Sequence, residues 1–354
     1  MEEFMKKSLI FIVAVILLVL GGYFILSMSG LSIIRPAEIS LASQQNTNGT
    51  QAATGIPVEE GGRSGSSFSH QPKEEDYIAL TQKYDFNSDL YPFFAMLNEN
   101  EKMAYYFLYD GICQAKEEVL LGSFIRVPKN DIMNVVTAVY NDHPELFWFE
   151  AGITYSYTPT SNFVVGIQPT YNDLANDLSF TKALFEQKAE EILSVARRQA
   201  GSGVLYQEMT VHDALCNKCE YVTEAAHNQS AYSCLVEERS VCSGYARAFQ
   251  YLMQRLGVPV YYATGSSFSG EPHGWDIIMI NGSAYNIDVT WDDEIGVQTG
   301  KNVHAFFNVS DGQISRTHTR DELSLRLPAC TDESMSYDKV LGDTITIDQL
   351  DFNI

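Results

Sequence analysis

The sequence predicts an α+β protein. A helix with a cysteine at its start packs on an antiparallel sheet, a mixed helical and strand region precedes it, and a single transmembrane helix stands ahead of both. Three observations carry this. From Cys242 the residues Tyr245, Phe249, Leu252 and Leu256 recur at helical spacing, and Gly257 and Pro259 follow as a stop signal. Two apolar-rich runs, His273 to Ile280 and Ser283 to Trp291, are joined by Asn281-Gly282, the strongest two-residue hairpin signal. Far upstream, Leu9 to Met28 is almost wholly apolar.

That upstream run matches the ~20 residues needed to span a bilayer's hydrocarbon core. Lys6 and Lys7 precede it and the next basic residue is Arg35. The positive-inside rule then keeps the short N-terminus in the cytoplasm and places the body outside. No small-x-small site directly follows Met28, so a retained signal anchor over residues 1–30 is expected rather than a cleaved signal peptide. Residues 31–76 are rich in Gly, Ser, Thr, Gln and Asn and lose apolar spacing, as expected of a flexible tether.

The rest of the 354 residues is globular in composition, with 45% hydrophobic residues overall. The 45 acidic against 23 basic residues give a formal charge of -22, which repels phosphate backbones and argues against a nucleic-acid partner. Six cysteines are too sparse for a disulfide-stapled scaffold. Cys216 and Cys219 form a lone C-x-x-C with no second pair at zinc-finger spacing, so no metal is assigned. Outside the cytoplasm a disulfide from Cys234 to Cys216 or Cys219 is open to formation, and the state of Cys330 is equally open.

Residues 77–204 are expected to form a mixed subdomain. Asn98 with Glu101 three residues on is a capping-box start for a helix running to about Leu121. Phe124 to Val127 reads as a short strand stopped by Pro128. Asp131 to Tyr140 reads as a helix, with Ile132, Val135, Val136 and Val139 on its inner face. Leu146 to Phe149, Ile153 to Thr158 and Phe163 to Gln168 read as strands, and Leu178 to about Ala200 as a long helix. The LFWF run at Leu146 is expected in the core.

Residues 205–354 hold the chemistry. Tyr206 to Cys219 is a further helix; its adjacent His212 and Asp213 do not face each other, so His212 is read as packing or surface. Ser240 is a candidate cap for the next helix. Cys242 then sits at a helix N-terminus, where free N–H groups and the macrodipole favour a thiolate and could hold an oxyanion. This helix alone is equally compatible with a buried structural cysteine. The hairpin adds the decisive geometry. If Ile280 pairs with Ser283, Asp288 lies opposite Trp275, and His273 falls diagonal to Asp288 on the same face, about 7–8 Å away at the backbone. A carboxylate there can orient an imidazole. A thiol, a base and a group that orients the base are then all present. The tail after Cys330 reads as a short strand-rich extension.

The segments SVCSGYARAFQYLMQRLGVPVYYATG, HGWDIIMINGSAYNIDVTWDD and HAFFNVSDGQISRTH together resemble the bacterial transglutaminase-like proteins of the papain-like cysteine superfamily. The resemblance is strongest over about Ala231 to His318. It implies a papain-like fold with Cys242 as nucleophile, His273 as base and Asp288 as the orienting acid. Asp276 stands where the family commonly has Asn; the hairpin register turns it away from His273, and little effect on the triad is expected. The second oxyanion donor is not fixed by the motif, and Tyr232 is a candidate from the family's Ala-Tyr segment. Animal transglutaminases use calcium, but no acidic loop here has calcium-ligand spacing, and no cofactor is implied.

The expected function is a membrane-anchored extracellular thiol enzyme acting on amide bonds of proteins or peptides. A thioester would be resolved by water, as in a protease or deamidase, or by an amine, as in a transamidase. The competing reading is a non-catalytic cell-surface binding or assembly module on the same fold.

Overall fold

The structure, a computed structural model, describes residues 53–57 and 71–350. The apolar run at Leu9 to Met28 and most of the expected tether lie outside the described residues. Among the described residues no helix is long and apolar enough to cross a membrane.

In chain order the first half comprises β1 (Ala53–Pro57), α1 (Glu74–Lys83), α2 (Pro92–Ala95), α3 (Glu99–Cys113), β2 (Val119–Leu120), α4 (Ile132–Asp142), β3 (Phe149–Tyr157) and β4 (Val164–Tyr171). Its sheet has the order β1-β3-β4-β2. The tether is therefore not structureless throughout. Residues 53–57 add to the β3 edge in parallel, Ala53 opposite Ile153 and Pro57 opposite Tyr157, and α1 begins before residue 77. Edge pairing uses backbone groups alone, so a stretch of weak hydrophobicity can make it.

The capping box forms as expected. Asn98 Oδ1 accepts from the Glu101 N–H at 3.1 Å and Glu101 Oε2 from the Asn98 N–H at 2.9 Å. The helix ends at Cys113, however, well short of Leu121. Phe124 to Val127 is loop rather than strand, making contact with β4's approach only through a bridge from Pro128 to Phe163. Proline has no N–H to give a ladder. Leu146 to Trp148 turn into β3 instead of forming a separate strand, and all four residues of LFWF are buried as expected.

The second half comprises α5 (Leu178–Arg198), α6 (Val204–Lys218), β5 (Glu220–Tyr221), β6 (Arg239–Ser240), α7 (Cys242–Arg255), β7 (Val260–Ser267), β8 (Pro272–Ile280), β9 (Ser283–Ile287), α8 (Val289–Thr299), α9 (Asp311–Ile314), β10 (His318–Arg320) and α10 (Tyr337–Val340). The sheet order is β10-β7-β8-β9 with antiparallel neighbours throughout. Helix α7 is buried from Cys242 to Met253, wider than the expected single stripe, because the sheet covers one side and α5, α6 and α8 the other. It also ties the halves together. Arg247 Nη2 donates to the His143 carbonyl at 3.2 Å, and Gln250 Nε2 to the Asn141 carbonyl at 2.8 Å. The tail after Cys330 has no strand among its described residues; it lies over the domain as loops, α10 and a short 3₁₀ turn at Ile347–Gln349.

The hairpin turn is the predicted one. Asn281 and Gly282 have φ of 52° and 85°, the two positive values of a type I′ turn. Pairing runs from Ile280 with Ser283 to Asp276 with Ile287. The second run stops there. Residues from Val289 form a helix, not a strand, because the Asp288 side chain accepts the Trp291 N–H at 3.1 Å as an N-cap.

Candidate active site

Cys242 is the first residue of α7. Ser240 does not cap this helix. Its hydroxyl donates to the Asn228 carbonyl at 2.9 Å and lies 2.6 Å from Ser233 Oγ. Val241 is the N-cap, in extended conformation, and has no side chain that could accept a hydrogen bond. The residue before the helix thus gives the first-turn N–H groups no side-chain cap, and the Gly244 N–H donates to the Val241 carbonyl at 2.9 Å. Gly244 keeps this turn seated: a Cβ there would fall 1.8 Å from Ser240 Oγ and 2.9 Å from the Asn228 and Ser230 carbonyl oxygens.

Strand β8 supplies His273, and the N-cap position of α8, directly after β9, supplies Asp288. His273 Nε2 lies 2.6 Å from Asp288 Oδ2, and the imidazole also hydrogen-bonds the Cys242 side chain. The three residues are buried, at 1%, 4% and 1% exposure for Cys242, His273 and Asp288. Burial by itself would depress the His273 pKa; the Asp288 carboxylate and the Cys242 sulfur override it and raise it to about 10. Burial pushes the Asp288 carboxyl the other way, but His273 and His318 hold it well below the usual carboxylate range.

The sequence alone assigns no role to two residues at this site, although His318 closes the last of the segments that carry the family resemblance. His318, on β10, places Nε2 2.9 Å from the same Asp288 Oδ2, while its Nδ1 lies 2.8 Å from Thr317 Oγ1. Burial, and the charge of His273 beside it, lower its pKa to about 4, so it is neutral. A neutral imidazole that serves an ionised Asp288 must carry its hydrogen on Nε2. Tyr221, on the two-residue β5, is the second. The pairing of β5 with β6 brings it beside the start of α7, where its hydroxyl accepts from the Cys242 backbone N–H. Burial, then the neighbouring Cys242 and Glu294, drive its pKa far up and keep the phenol protonated. Tyr232 lies elsewhere: its ring packs against Phe147 at 4.8 Å and Phe185 at 6.3 Å, in the core under α5. The family's Ala-Tyr segment therefore delivers a packing residue here, and Tyr221 is the tyrosine at Cys242.

Asp276 points away from His273, as the register requires. It is buried, neither of its oxygens has a hydrogen-bond partner, and burial with the Asp288 charge raises its pKa well above normal. Trp275 and Trp291 line the imidazole side of the hairpin, with ring centroids 6.1 and 5.7 Å from His273. The C-x-x-C pair splits. Cys216 faces His212, whereas Cys219, just past the end of α6, hydrogen-bonds Cys234. All six cysteines are thiols.

The model of the Transglutaminase-like superfamily matches residues 190–309, which include Cys242, His273 and Asp288. Among solved structures, a crystal structure of a TGase is similar at 14% identity and TM-score 0.28, over 36% of this chain and 41% of that one. A candidate cysteine protease from Cytophaga hutchinsonii is similar at 24% identity and TM-score 0.26, over 29% of this chain and 37% of that one. The chain thus spans about two fifths of the length of each of these two structures. No curated protein matches it. Residues 190–309 of this chain are a domain of the transglutaminase-like superfamily.

Proposed function

We propose that this protein is a thiol enzyme acting on amide bonds of proteins or peptides, with Cys242 as nucleophile, His273 as base and acid, and Asp288 as the group that orients His273. The observation that carries the reading is the continuous contact from the Cys242 thiol through His273 to Asp288 Oδ2. A raised His273 pKa favours an imidazolium beside the sulfur in the resting enzyme. Cys242 Sγ attacks the amide carbonyl carbon, and the carbonyl oxygen gains negative charge. The Cys242 N–H donates to that oxygen once the Tyr221 hydroxyl, its acceptor in the resting site, moves aside, and the displaced hydroxyl donates to the oxygen as well. His273 then protonates the leaving amine as the C–N bond breaks, which leaves a thioester on Cys242. Water or a second amine, deprotonated by His273, resolves it to acid or to new amide.

We assign the body of the protein to the outer face of a membrane, tethered by Leu9 to Met28; the support is the apolar run and the Lys6-Lys7 pair before it. The competing binding-module reading has one observation on its side, the burial of the Cys242 sulfur, which a substrate must reach through movement of the groups above it. A screen with a fluorescent primary amine and a glutamine-rich protein, run with the native chain and with Cys242→Ala, tests the proposal. Amine incorporation or amide hydrolysis that disappears in Cys242→Ala supports it. No turnover of either kind by the native chain, or turnover that survives the substitution, favours the binding module.

A further inference from the structure

We infer that this domain holds a zinc-class divalent cation at a second site, with His212 Nδ1, Asp213 Oδ1 and His304 Nε2 as ligands. The sequence suggests nothing of the kind, because His212 and Asp213 are adjacent on α6 and His304 lies far downstream. The fold brings them together. Asp213 Oδ1 is 3.1 Å from His212 Nδ1 and 2.7 Å from His304 Nε2, and all three donor atoms lie within 4.8 Å of one another. Donors bound to one tetrahedral zinc at its usual bond lengths are about 3.3 Å apart, so little movement is needed to admit the ion. Two imidazoles and a carboxylate suit zinc better than the oxygen-seeking calcium or magnesium.

The surroundings match a ligand set. His212 Nε2 lies 3.1 Å from Asp292 Oδ2, and Asp292 Oδ1 accepts the Phe306 N–H at 3.0 Å. This carboxylate fixes the ring with Nε2 protonated and leaves Nδ1 for the ion, the usual support of a metal-bound histidine. When the ion binds, the proton between His212 Nδ1 and Asp213 leaves to solvent, and the one between His304 Nε2 and Asp213 leaves to solvent or moves to His304 Nδ1. His304 is held flat against Tyr337, ring centroids 3.9 Å apart. A cavity of about 230 Å³ opens on His212, Asp213, Cys216 and Asp292, which gives the ion a path in and room for a fourth ligand. Cys216 Sγ is 3.9 Å from His212 Nδ1.

The site joins α6, α8 and the segment before α9. Asp292 is one turn along α8 from Asp288, its N–H donating to the Asp288 carbonyl at 3.2 Å. The ion therefore braces the helix whose first turn carries the carboxylate at His273. This inference needs only the residues of the second site and stands whether or not Cys242 is catalytic.

The test is zinc uptake by the chelator-stripped full chain. It is made in a Cys242→Ser/His273→Ala background, which removes the thiol and leaves the competing His273–Asp288–His318 group with a single imidazole. One equivalent of zinc is expected, with a concentration-dependent rise in melting temperature. In His304→Gln and Asp213→Asn the affinity is expected to fall about a hundredfold or more. X-ray absorption of the zinc-loaded Cys242→Ser/His273→Ala chain is expected to show two imidazoles on the ion, a readout that holds if the ligand variants fail to fold. No stoichiometric uptake, unchanged affinity in both folded variants, or a coordination shell without imidazole overturns the site.

Discussion

His318 Nε2 stands 2.9 Å from Asp288 Oδ2, the same oxygen that lies 2.6 Å from His273. One carboxylate oxygen thus serves two imidazoles of different character, His273 raised and His318 lowered in pKa. The neutral ring stabilises the carboxylate as a donor and shares it with the ring beside Cys242. Its place at the end of a strand thirty residues downstream makes β10 a part of the site.

Replacing His318 with Phe removes a donor to an ionised carboxylate. Such a bond contributes about 1.5–3 kcal/mol, so thioester formation is expected to slow about 10- to 100-fold. His318→Gln, which can still donate, is expected to recover part of the rate. The alkaline limb of the Cys242 alkylation profile moves upward in His318→Phe, because Asp288 then bonds His273 alone. A purely structural role would lower the amount of folded protein without moving that limb.

The His273 shift makes a pH-dependent contribution to stability. Its folded pKa of about 10 lies above the ordinary histidine value of about 6.5. The contribution is therefore fully present below the lower value and is lost as pH rises through the upper one. Urea midpoints of the native chain and of His273→Gln should converge as pH rises through that window. Parallel curves would mean that Asp288 does not hold a charged imidazole.

Tyr221 has its hydroxyl on the Cys242 N–H, where a substrate's carbonyl oxygen would arrive. Tyr221→Phe is expected to lower turnover by about 100-fold, the scale of one oxyanion donor. Alkylation of Cys242, which develops no oxyanion, should be little changed. Faster turnover in the variant would show the hydroxyl to be an obstruction.

Asp276 is a buried carboxyl without a hydrogen-bond partner, and its pKa is raised by burial first and by Asp288 second. With the folded pKa above the unfolded value of about 3.9, the unfolded chain ionises first and stability falls as pH rises from there. Asp276→Asn removes that slope, so its stability relative to the native chain should grow between acid and neutral pH. Equal differences at both ends would point to a partnered carboxylate.

The sequence made the hairpin legible because Asn281-Gly282 sets the register by counting alone, and the register puts His273 near Asp288. It was less informative where one residue type serves two structures. Asp288 to Trp291 has the β-branched and aromatic character of a strand, yet the Asp288 carboxylate caps a helix and ends the ladder at Ile287. Ser240 looks like a cap but spends its hydroxyl on Asn228 and Ser233. His318, Tyr221 and the His212–Asp213–His304 group depend on contacts between elements far apart in the chain. No local period records such contacts, so only the fold reveals them.

The most direct measurement of the central claim is the rate at which iodoacetamide labels Cys242 at neutral pH, read peptide by peptide against the other five cysteines. Burial raises the thiol pKa of Cys113, Cys216, Cys234 and Cys330, which makes them slow internal references. If His273 activates Cys242, that peptide is labelled first, and His273→Ala slows it by about a hundredfold. Equal, slow labelling of Cys242 in both proteins would contradict a catalytic thiol.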